Sequence, residues 1–238
     1  MGEMVDNLEG KLIVIDGPDG SGKTEQTKLL IARLEAEGYP VKTISFPRYG
    51  EPAAADAERY LNGEYGPKEG IEPKRVAGFY AADRADFSPQ LKEWLKQGFI
   101  VVSNRYTTSN VGHQSIRLPS WEERDGFVEW LFDYEYNQLG IPRPDATIIC
   151  HVPYELALRN IMLKDAGRQD RSYLKDKKMD IHEKDREHLM NAIEAYQRYA
   201  GMLPGWHLVE CSEGKEMRTY EAIQDMIWEI VEPIVKRE

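Results

Sequence analysis

Cysteine is scarce in this sequence, which has only Cys150 and Cys211 among 238 residues. Two distant cysteines exclude the disulfide framework of a small secreted domain and favour a reducing compartment. Long apolar runs are absent, so we expect no membrane-spanning helix. The first ten residues, MGEMVDNLEG, are acidic and lack the apolar core of a signal peptide. We therefore expect a cytoplasmic protein with no membrane partner.

Basic residues are also fewer than acidic residues. The chain has 31 Lys and Arg against 41 Asp and Glu, which gives a net charge of −10 at pH 7. Proteins that bind polymeric nucleic acid usually carry a basic face, so we expect no such partner. A phosphate site is still allowed, because a pocket needs only a few local cations. The length and the hydrophobic content of 41% fit one domain, with or without a lid.

One stretch, KLIVIDGPDGSGKTEQTKLLIARL at Lys11 to Leu34, contains the pattern G-x-x-x-x-G-K-[ST]. A β-branched strand precedes the pattern and a helix follows it, which is the context of a nucleotide-binding phosphate loop. Its glycines let successive backbone N–H groups face an anion. Lys23 would reach the β- and γ-phosphates of ATP, and the Thr24 hydroxyl would bind Mg²⁺. The predicted ATP-binding residues are Gly17, Asp19, Gly20, Ser21, Gly22, Lys23 and Thr24.

Strands and helices alternate along the whole chain, which predicts an α/β fold. The strands are short apolar runs of the kind buried on both faces of a parallel sheet. We expect a three-layer P-loop NTPase fold, with a five-stranded parallel sheet flanked by helices, in a single domain over 1–238. The charged segment 165–179 has no hydrophobic period and predicts a mobile lid bearing arginines. Strands are predicted at 11–16, 41–46, 99–103, 146–150 and 206–211, and helices at 53–61, 73–97 with a break near Pro89, 121–139, 153–164, 180–201 and 217–235.

Cations and an aromatic ring follow the predicted strands, where sites of parallel sheets gather. Arg48 and Arg105 each come just after a strand and suit a second phosphate. Tyr80 and Arg84 lie four residues apart on one helix face, where a ring can stack on a base and a guanidinium can bond its edge. Taken alone, Arg48 could equally be a surface residue. The Tyr80–Arg84 pair, taken alone, is more often a core ring with a surface arginine.

Taken in order, five stretches resemble the thymidylate kinases, nucleoside-monophosphate kinases that make dTDP from dTMP. The resemblance covers most of the chain, and its most specific part is YAADR, which is similar to the family's base-recognition helix. The stretches are IDGPDGSGKT (15–24), FPR (46–48), FYAADRADF (79–87), NRYTTSNVGHQ (104–114) and the Arg-bearing segment with the helix up to Tyr199.

The resemblance implies a role for individual residues. Tyr80 would stack on thymine, Arg84 would bond its O4, and Gln114 would lie near the base. Tyr106 is the candidate ring that excludes a 2′-hydroxyl, with a core tyrosine as the alternative. The implied substrate-binding residues are Asp19 near the 3′-hydroxyl, Phe46, Arg48 and Arg105 at the dTMP phosphate, Tyr80, Arg84, Tyr106 and Gln114. The implied catalytic residues are Lys23, Arg105 and the lid arginines Arg168 and Arg171.

The resemblance also implies ATP as co-substrate, Mg²⁺ as cofactor and a homodimer. The chain departs from the family at two strand ends, because Asn104 and His151 stand where the family usually has Asp. Position 20 is Gly rather than the Arg of some members, so the cation over the transferring phosphoryl group would come from the lid. Other readings stay open: a deoxynucleoside kinase, an adenylate-type kinase, or a non-catalytic nucleotide sensor.

Overall fold

The computed structural model describes residues 10–67, 70–167 and 183–236. Within these ranges, one sheet has five parallel strands in the order β2-β3-β1-β4-β5, and helices cover both of its faces. The predicted parallel α/β sheet is therefore confirmed. The strands are β1 (Lys11–Asp16), β2 (Val41–Ser45), β3 (Ile100–Asn104), β4 (Ala146–His151) and β5 (Trp206–Glu210).

Eight α-helices surround the sheet in the described part of the chain, and none of them is both long and apolar enough to cross a membrane. A two-stranded antiparallel hairpin, β6 (Ser212–Glu213) and β7 (Glu216–Met217), follows the last strand of the sheet. The helices are α1 (Lys23–Ala36), α2 (Ala55–Leu61), α3 (Pro73–Lys96), α4 (Thr107–His113), α5 (Trp121–Phe132), α6 (Tyr154–Gly167), α7 (Glu183–Met202) and α8 (Tyr220–Val235).

Strand β1 lies at the centre of the sheet, paired with β3 and β4. Its alternating side chains point to opposite faces and build two cores. Ile13 and Ile15 pack in a cluster with residues of α1 and α8. Leu12 and Val14 pack in another with residues of α3. Because the strands are parallel, the carboxyl ends of β1, β3 and β4 meet at one edge, and the predicted site residues follow these ends.

Helix α3 differs from the prediction, because it runs unbroken from Pro73 to Lys96 with Pro89 inside it. Proline removes one helical hydrogen bond and crowds the preceding turn, at a cost of about 3 kcal/mol. Leu91 and Leu95, two and six residues later, are buried against the sheet. This burial offsets the cost and carries the helix through the proline.

Other boundaries also differ from the prediction. Helix α4 and the β6–β7 hairpin are additional elements, and the last α-helical turn of α5 continues as a π-helix over Asp133–Gln138. Helix α8 begins at Tyr220 because the Thr219 hydroxyl accepts a hydrogen bond from the Ala222 backbone N–H and caps the helix. Helix α4 and the β6–β7 hairpin are short and mostly polar, so hydrophobic periodicity did not predict them.

Candidate active site

The loop Gly17–Thr24 joins β1 to α1 and has the shape of an anion cradle. Gly20 has a φ of +81°, and a Cβ added there would lie 2.3 Å from the Ala157 carbonyl oxygen. Only glycine fits such a close approach in this backbone region. Gly22, also at positive φ, precedes the first residue of α1. The free N–H groups of that helix end therefore face the loop, where they favour a phosphate.

Lys23 is buried under this loop. Its Nζ donates to the Pro18 carbonyl oxygen and to Asp19 Oδ1, both at 3.2 Å. Burial and the nearby Arg105 lower the pKa of Lys23 below its ordinary value. The Ser21 hydroxyl is buried and has no hydrogen-bond partner among the described residues. The loop thus holds a cation and an unpaired hydroxyl, both of which a bound triphosphate would satisfy.

Arg105, directly after β3, is held in a special backbone conformation with a φ of +67°. The backbone N–H of Arg105 donates to the Ile15 carbonyl oxygen at 3.0 Å, and the Arg105 carbonyl oxygen accepts a hydrogen bond from the Ser103 hydroxyl at 2.7 Å. A non-glycine residue with positive φ costs about 1–3 kcal/mol and persists where the surroundings enforce it. These two bonds to the β1 and β3 backbones hold Arg105 at the edge of the sheet.

The guanidinium of Arg105 faces two carboxylates. Its Nη2 lies 2.6 Å from Asp19 Oδ1, and its Nη1 lies 3.8 Å from Asp16 Oδ1. The Asp19 side chain is 60% exposed, and the loop around it removes only part of its water, which alone would raise its pKa. The charges of Lys23 and Arg105 nevertheless bring that pKa well below its ordinary value. Burial alone would lower the pKa of Arg105, but Asp16 and Asp19 hold it above its ordinary value. Arg105 is therefore a permanent cation. A phosphate can replace the mostly exposed carboxylate of Asp19 as its partner.

A cavity of about 700 Å³ opens beside Arg105, within the range of a small-molecule site. It lies between α3, α4 and α7, with aromatic rings and polar groups around it. Predicted substrate residues that line it are Asp19, Phe46, Tyr80, Arg84, Arg105, Tyr106 and Gln114. Residues that line it but received no role from the sequence include Ser109, Asn110, His113, Arg117, Glu187 and His188.

One end of the cavity is built on a buried ion pair. Arg84 Nε and Nη2 donate to the two carboxylate oxygens of Glu135, at 2.7 and 2.5 Å, and both side chains are almost fully buried. The Thr107 hydroxyl and the Asn110 amide nitrogen also donate to Glu135. Glu135 thus aligns a guanidinium and an amide side by side. No pattern in the sequence marks it, because it lies 51 residues from Arg84 in the π-helix after α5.

The aromatic residues have separate positions around the cavity. The Tyr80 ring lines it, and burial raises the pKa of its hydroxyl. Phe46 and Tyr106 pack against each other with ring centroids 5.8 Å apart. Tyr106 is fully buried, and its hydroxyl donates to the Pro142 carbonyl oxygen at 2.9 Å. Gln114 accepts from Arg117 Nη1 through Oε1 at 3.1 Å, so its amide nitrogen is left to donate.

Asp16 is a second organising carboxylate that the sequence reasoning missed. It is fully buried at the end of β1 and accepts hydrogen bonds from the hydroxyls of Thr108, Ser109 and Tyr196, at 2.5, 2.6 and 3.2 Å. These contacts tie α4 and α7 to the strand that carries the phosphate loop. The available signal was an acidic residue closing an apolar strand.

Among the predicted substrate-binding residues that the structure describes, Arg48 is the one that does not line the cavity. Its Nε donates to Asp83 Oδ1 at 2.8 Å, its Nη2 donates to Asp86 Oδ2 at 2.6 Å, and its guanidinium stacks on the Phe87 ring. The Arg48 side chain is thus committed to α3. Its role at the dTMP phosphate stays a prediction.

The two departures from the family pattern lie at strand ends. Asn104 Nδ2 donates to the Ser45 hydroxyl at 3.3 Å, and its Oδ1 is buried without a partner among the described residues. His151 Nδ1 lies 2.7 Å from Glu210 Oε2 of the neighbouring strand. The predicted lid arginines, Arg168 and Arg171, lie outside the described residues.

Comparison with known proteins agrees with this geometry. The sequence model of the thymidylate kinase family matches residues 15–203. A thymidylate kinase of Mycobacterium tuberculosis is 34% identical over 170 residues, which cover 69% of this chain and 78% of the relative. A probable thymidylate kinase of Thermococcus gammatolerans is 31% identical over 193 residues, with 79% and 85% covered. A probable thymidylate kinase of Pyrococcus horikoshii is 32% identical over 158 residues, with 66% and 72% covered.

Proposed function

We propose that this chain, which belongs to the thymidylate kinase family, binds dTMP in the cavity beside Arg105 and ATP at the loop Gly17–Thr24. It is an ATP-dependent nucleoside-monophosphate kinase that transfers the γ-phosphate of ATP to dTMP and releases dTDP and ADP. The observation that carries the assignment of the cavity is the Arg84–Glu135–Asn110 cluster, because its hydrogen-bonding pattern fits the edge of thymine.

The fit to thymine depends on two groups that do not bind Glu135, which are Nη1 of Arg84 and the side-chain carbonyl oxygen of Asn110. With Nε and Nη2 of Arg84 bound to Glu135, Nη1 remains to donate to a carbonyl oxygen, such as O4 of thymine. With its amide nitrogen donating to Ala77 and Glu135, Asn110 presents a carbonyl oxygen that can accept from N3–H. Cytosine would present an amine donor and a ring-nitrogen acceptor at the same places, leaving both pairs mismatched. Tyr80 would supply the stacking surface.

The proposed phosphoryl transfer requires no covalent bond between the protein and the substrates. A phosphate oxygen of dTMP attacks the γ-phosphorus of ATP in line, and the bond from phosphorus to the β,γ-bridging oxygen breaks. The phosphate monoester is largely a dianion at neutral pH, so no general base is needed. Lys23 and Arg105 would hold and neutralise the two phosphate groups, and alignment would supply much of the rate. A nearly buried lysine whose Nζ is held at the loop by the Pro18 carbonyl oxygen suits this role.

Magnesium fits the donors at the loop. Mg²⁺ prefers oxygen ligands and is usually held by one or two protein oxygens with substrate phosphates. The Thr24 hydroxyl is exposed in the first turn of α1, next to the cradle, and would be the protein ligand. When bound, the ion would neutralise the charge of the ATP phosphates.

The remaining expectations belong to the same proposal. The chain forms one kinase domain over 1–238, with a lid at 165–179 whose Arg168 and Arg171 approach the phosphates, and with Arg48 near the dTMP phosphate. The enzyme is a cytoplasmic homodimer. Family resemblance supports the dimer, the low cysteine content supports the compartment, and the Gly at position 20 supports a cation from the lid.

The test of the cavity assignment is the variant Arg84→Ala. Loss of a charged hydrogen bond to the base should raise KM for dTMP roughly 10- to 100-fold, with KM for ATP changed by less than about threefold. Arg33→Ala is the matched control, since Arg33 pairs with Asp225 of α8, away from the cavity. An increase confined to KM for ATP would show that the cavity does not hold the base.

A further inference from the structure

Two histidines continue the hydrogen bonding of Arg105. His113, the last residue of α4, places its Nε2 3.3 Å from Arg105 Nη1. Its Nδ1 lies 3.2 Å from Nε2 of His188, which belongs to α7. The two imidazoles are nearly parallel, with an interplanar angle of 7°, and the Tyr196 ring meets His113 edge-on. Arg105, His113 and His188 therefore form a continuous row along the wall of the cavity.

The donors in this row can be assigned from chemistry. A guanidinium only donates, so Nε2 of His113 must be the acceptor. The proton of a neutral His113 then lies on Nδ1, from which it donates to Nε2 of His188. His188 must in turn be unprotonated at that nitrogen. The row thus requires one tautomer of His113 and a neutral His188, with hydrogen bonds running from Arg105 to His113 to His188.

The surroundings keep His113 neutral. Burial and the charge of Arg105 lower the pKa of His113 to about 3. The carboxylates of Asp16 and Asp19 oppose this change, whereas a positive charge on His188 would add to it. Glu187 of α7 also lines the cavity. At neutral pH, His113 is thus an acceptor for Arg105 and adds no competing positive charge.

We propose that His113 is a positioning residue that aims the Arg105 guanidinium at the phosphate of the nucleoside monophosphate, and that His188 holds His113 in the tautomer this requires. Asp19 holds the other guanidinium nitrogen at 2.6 Å, so the side chain is fixed at both Nη atoms. When a phosphate takes the place of Asp19, the hydrogen bond to His113 remains as a restraint on Nη1, together with the more distant carboxylate of Asp16 at 3.8 Å. The inference rests on the proposed function, because it assumes that Arg105 receives that phosphate.

Kinetics of matched variants test the role. His113→Phe keeps a ring but loses the acceptor, so KM for dTMP should rise roughly tenfold while KM for ATP changes by less than about twofold. His113→Gln places an amide oxygen near the position of Nε2 and should recover most of the affinity. His188→Ala, on an exposed side chain, should raise KM for dTMP about two- to fivefold. His207→Gln in β5 is the control and should keep wild-type kinetics.

A spectroscopic measurement on the wild type separates positioning from packing. Nitrogen-15 NMR of the imidazoles at pH 7.5 should show His113 with its proton on Nδ1, and with Nε2 unprotonated. A His113 that is protonated on Nε2, or a His113→Phe variant with wild-type KM for dTMP, would overturn the inference alone. Absence of dTMP turnover by the wild type would overturn the proposed function, and the inference with it.

Discussion

Replacing Glu135 with Gln should destabilise the protein and weaken dTMP binding together. The substitution keeps the size of the side chain but removes the charge that balances Arg84, and both residues are almost inaccessible to water. Removing one partner of a buried ion pair costs about 3–5 kcal/mol, since the other charge is left uncompensated. For a chain of this size, that loss should lower Tm by roughly 6–20 °C.

The control for this prediction is a pair of the same chemistry at the surface. Glu213 pairs with Arg218 at 3.1 Å, but its side chain is 78% exposed. Glu213→Gln should therefore cost no more than about 1 kcal/mol. Urea unfolding followed by circular dichroism gives both free energies, and a coupled assay of ADP release gives KM for dTMP and for ATP.

A double-mutant cycle with Arg84→Met isolates the pair. Each single variant leaves one buried charge, whereas the double variant leaves none, so the double variant should lose clearly less stability than the sum of the singles. The affinity for dTMP should not return, because the guanidinium that contacts the base is gone. Strictly additive costs, or a Glu135→Gln variant within about 1 kcal/mol of the wild type, would refute the claim that this pair is desolvated and coupled.

Two further predictions concern the phosphate end of the site and its pH dependence. Lys23→Ala should lower kcat by orders of magnitude in the same coupled assay; near-normal turnover would mean that the loop does not hold the transferring phosphate. Because His113 has a folded-state pKa of about 3 against 6.5 when unfolded, the unfolded chain binds the proton first as pH falls. Stability should therefore drop by about 2 kcal/mol from this group between pH 7 and pH 5. Urea unfolding at both values should show a smaller drop for His113→Gln, and an equal drop would contradict the assignment.

The central part of the fold was predictable because its strands and helices have hydrophobic patterns that are visible in short stretches of sequence. Apolar β-branched runs separated by helical periods require a parallel sheet, and parallel strands bring their carboxyl ends to one edge. This reasoning brought Lys23 and Arg105 together although they are 82 positions apart in sequence. Helical spacing placed Tyr80 and Arg84 on one helix face, where the structure has both lining the cavity, but their predicted roles at the base came from the family resemblance.

The supporting carboxylates were not predictable in the same way. Glu135 meets Arg84 only after α3 has packed against the π-helix that follows α5, and its neighbours in sequence are the aromatic residues Tyr134 and Tyr136. The row from Arg105 to His188 likewise joins β3, α4 and α7. Long-range pairs of single polar residues leave no periodic trace in a sequence, whereas hydrophobic faces do.

Arg48 shows the opposite limit. Its position after β2 was found correctly, but position at a strand end does not decide where a long side chain turns. Two carboxylates of α3, Asp83 and Asp86, attract its guanidinium. Whether a long side chain pairs with neighbouring carboxylates or points into the cavity depends on distances that only a structure provides.

The most direct test of the proposed reaction is ADP release from ATP·Mg²⁺ by the wild-type protein, measured separately with dTMP, dUMP, dCMP, dGMP, AMP and thymidine as acceptors. Strong turnover with dTMP, weaker turnover with dUMP and none with thymidine is the predicted result, because the site receives an anionic phosphate and the edge of thymine. Turnover with thymidine would require a general base for a 5′-hydroxyl and would contradict the proposed mechanism. Binding of ATP without turnover on any acceptor would contradict the assignment as a kinase.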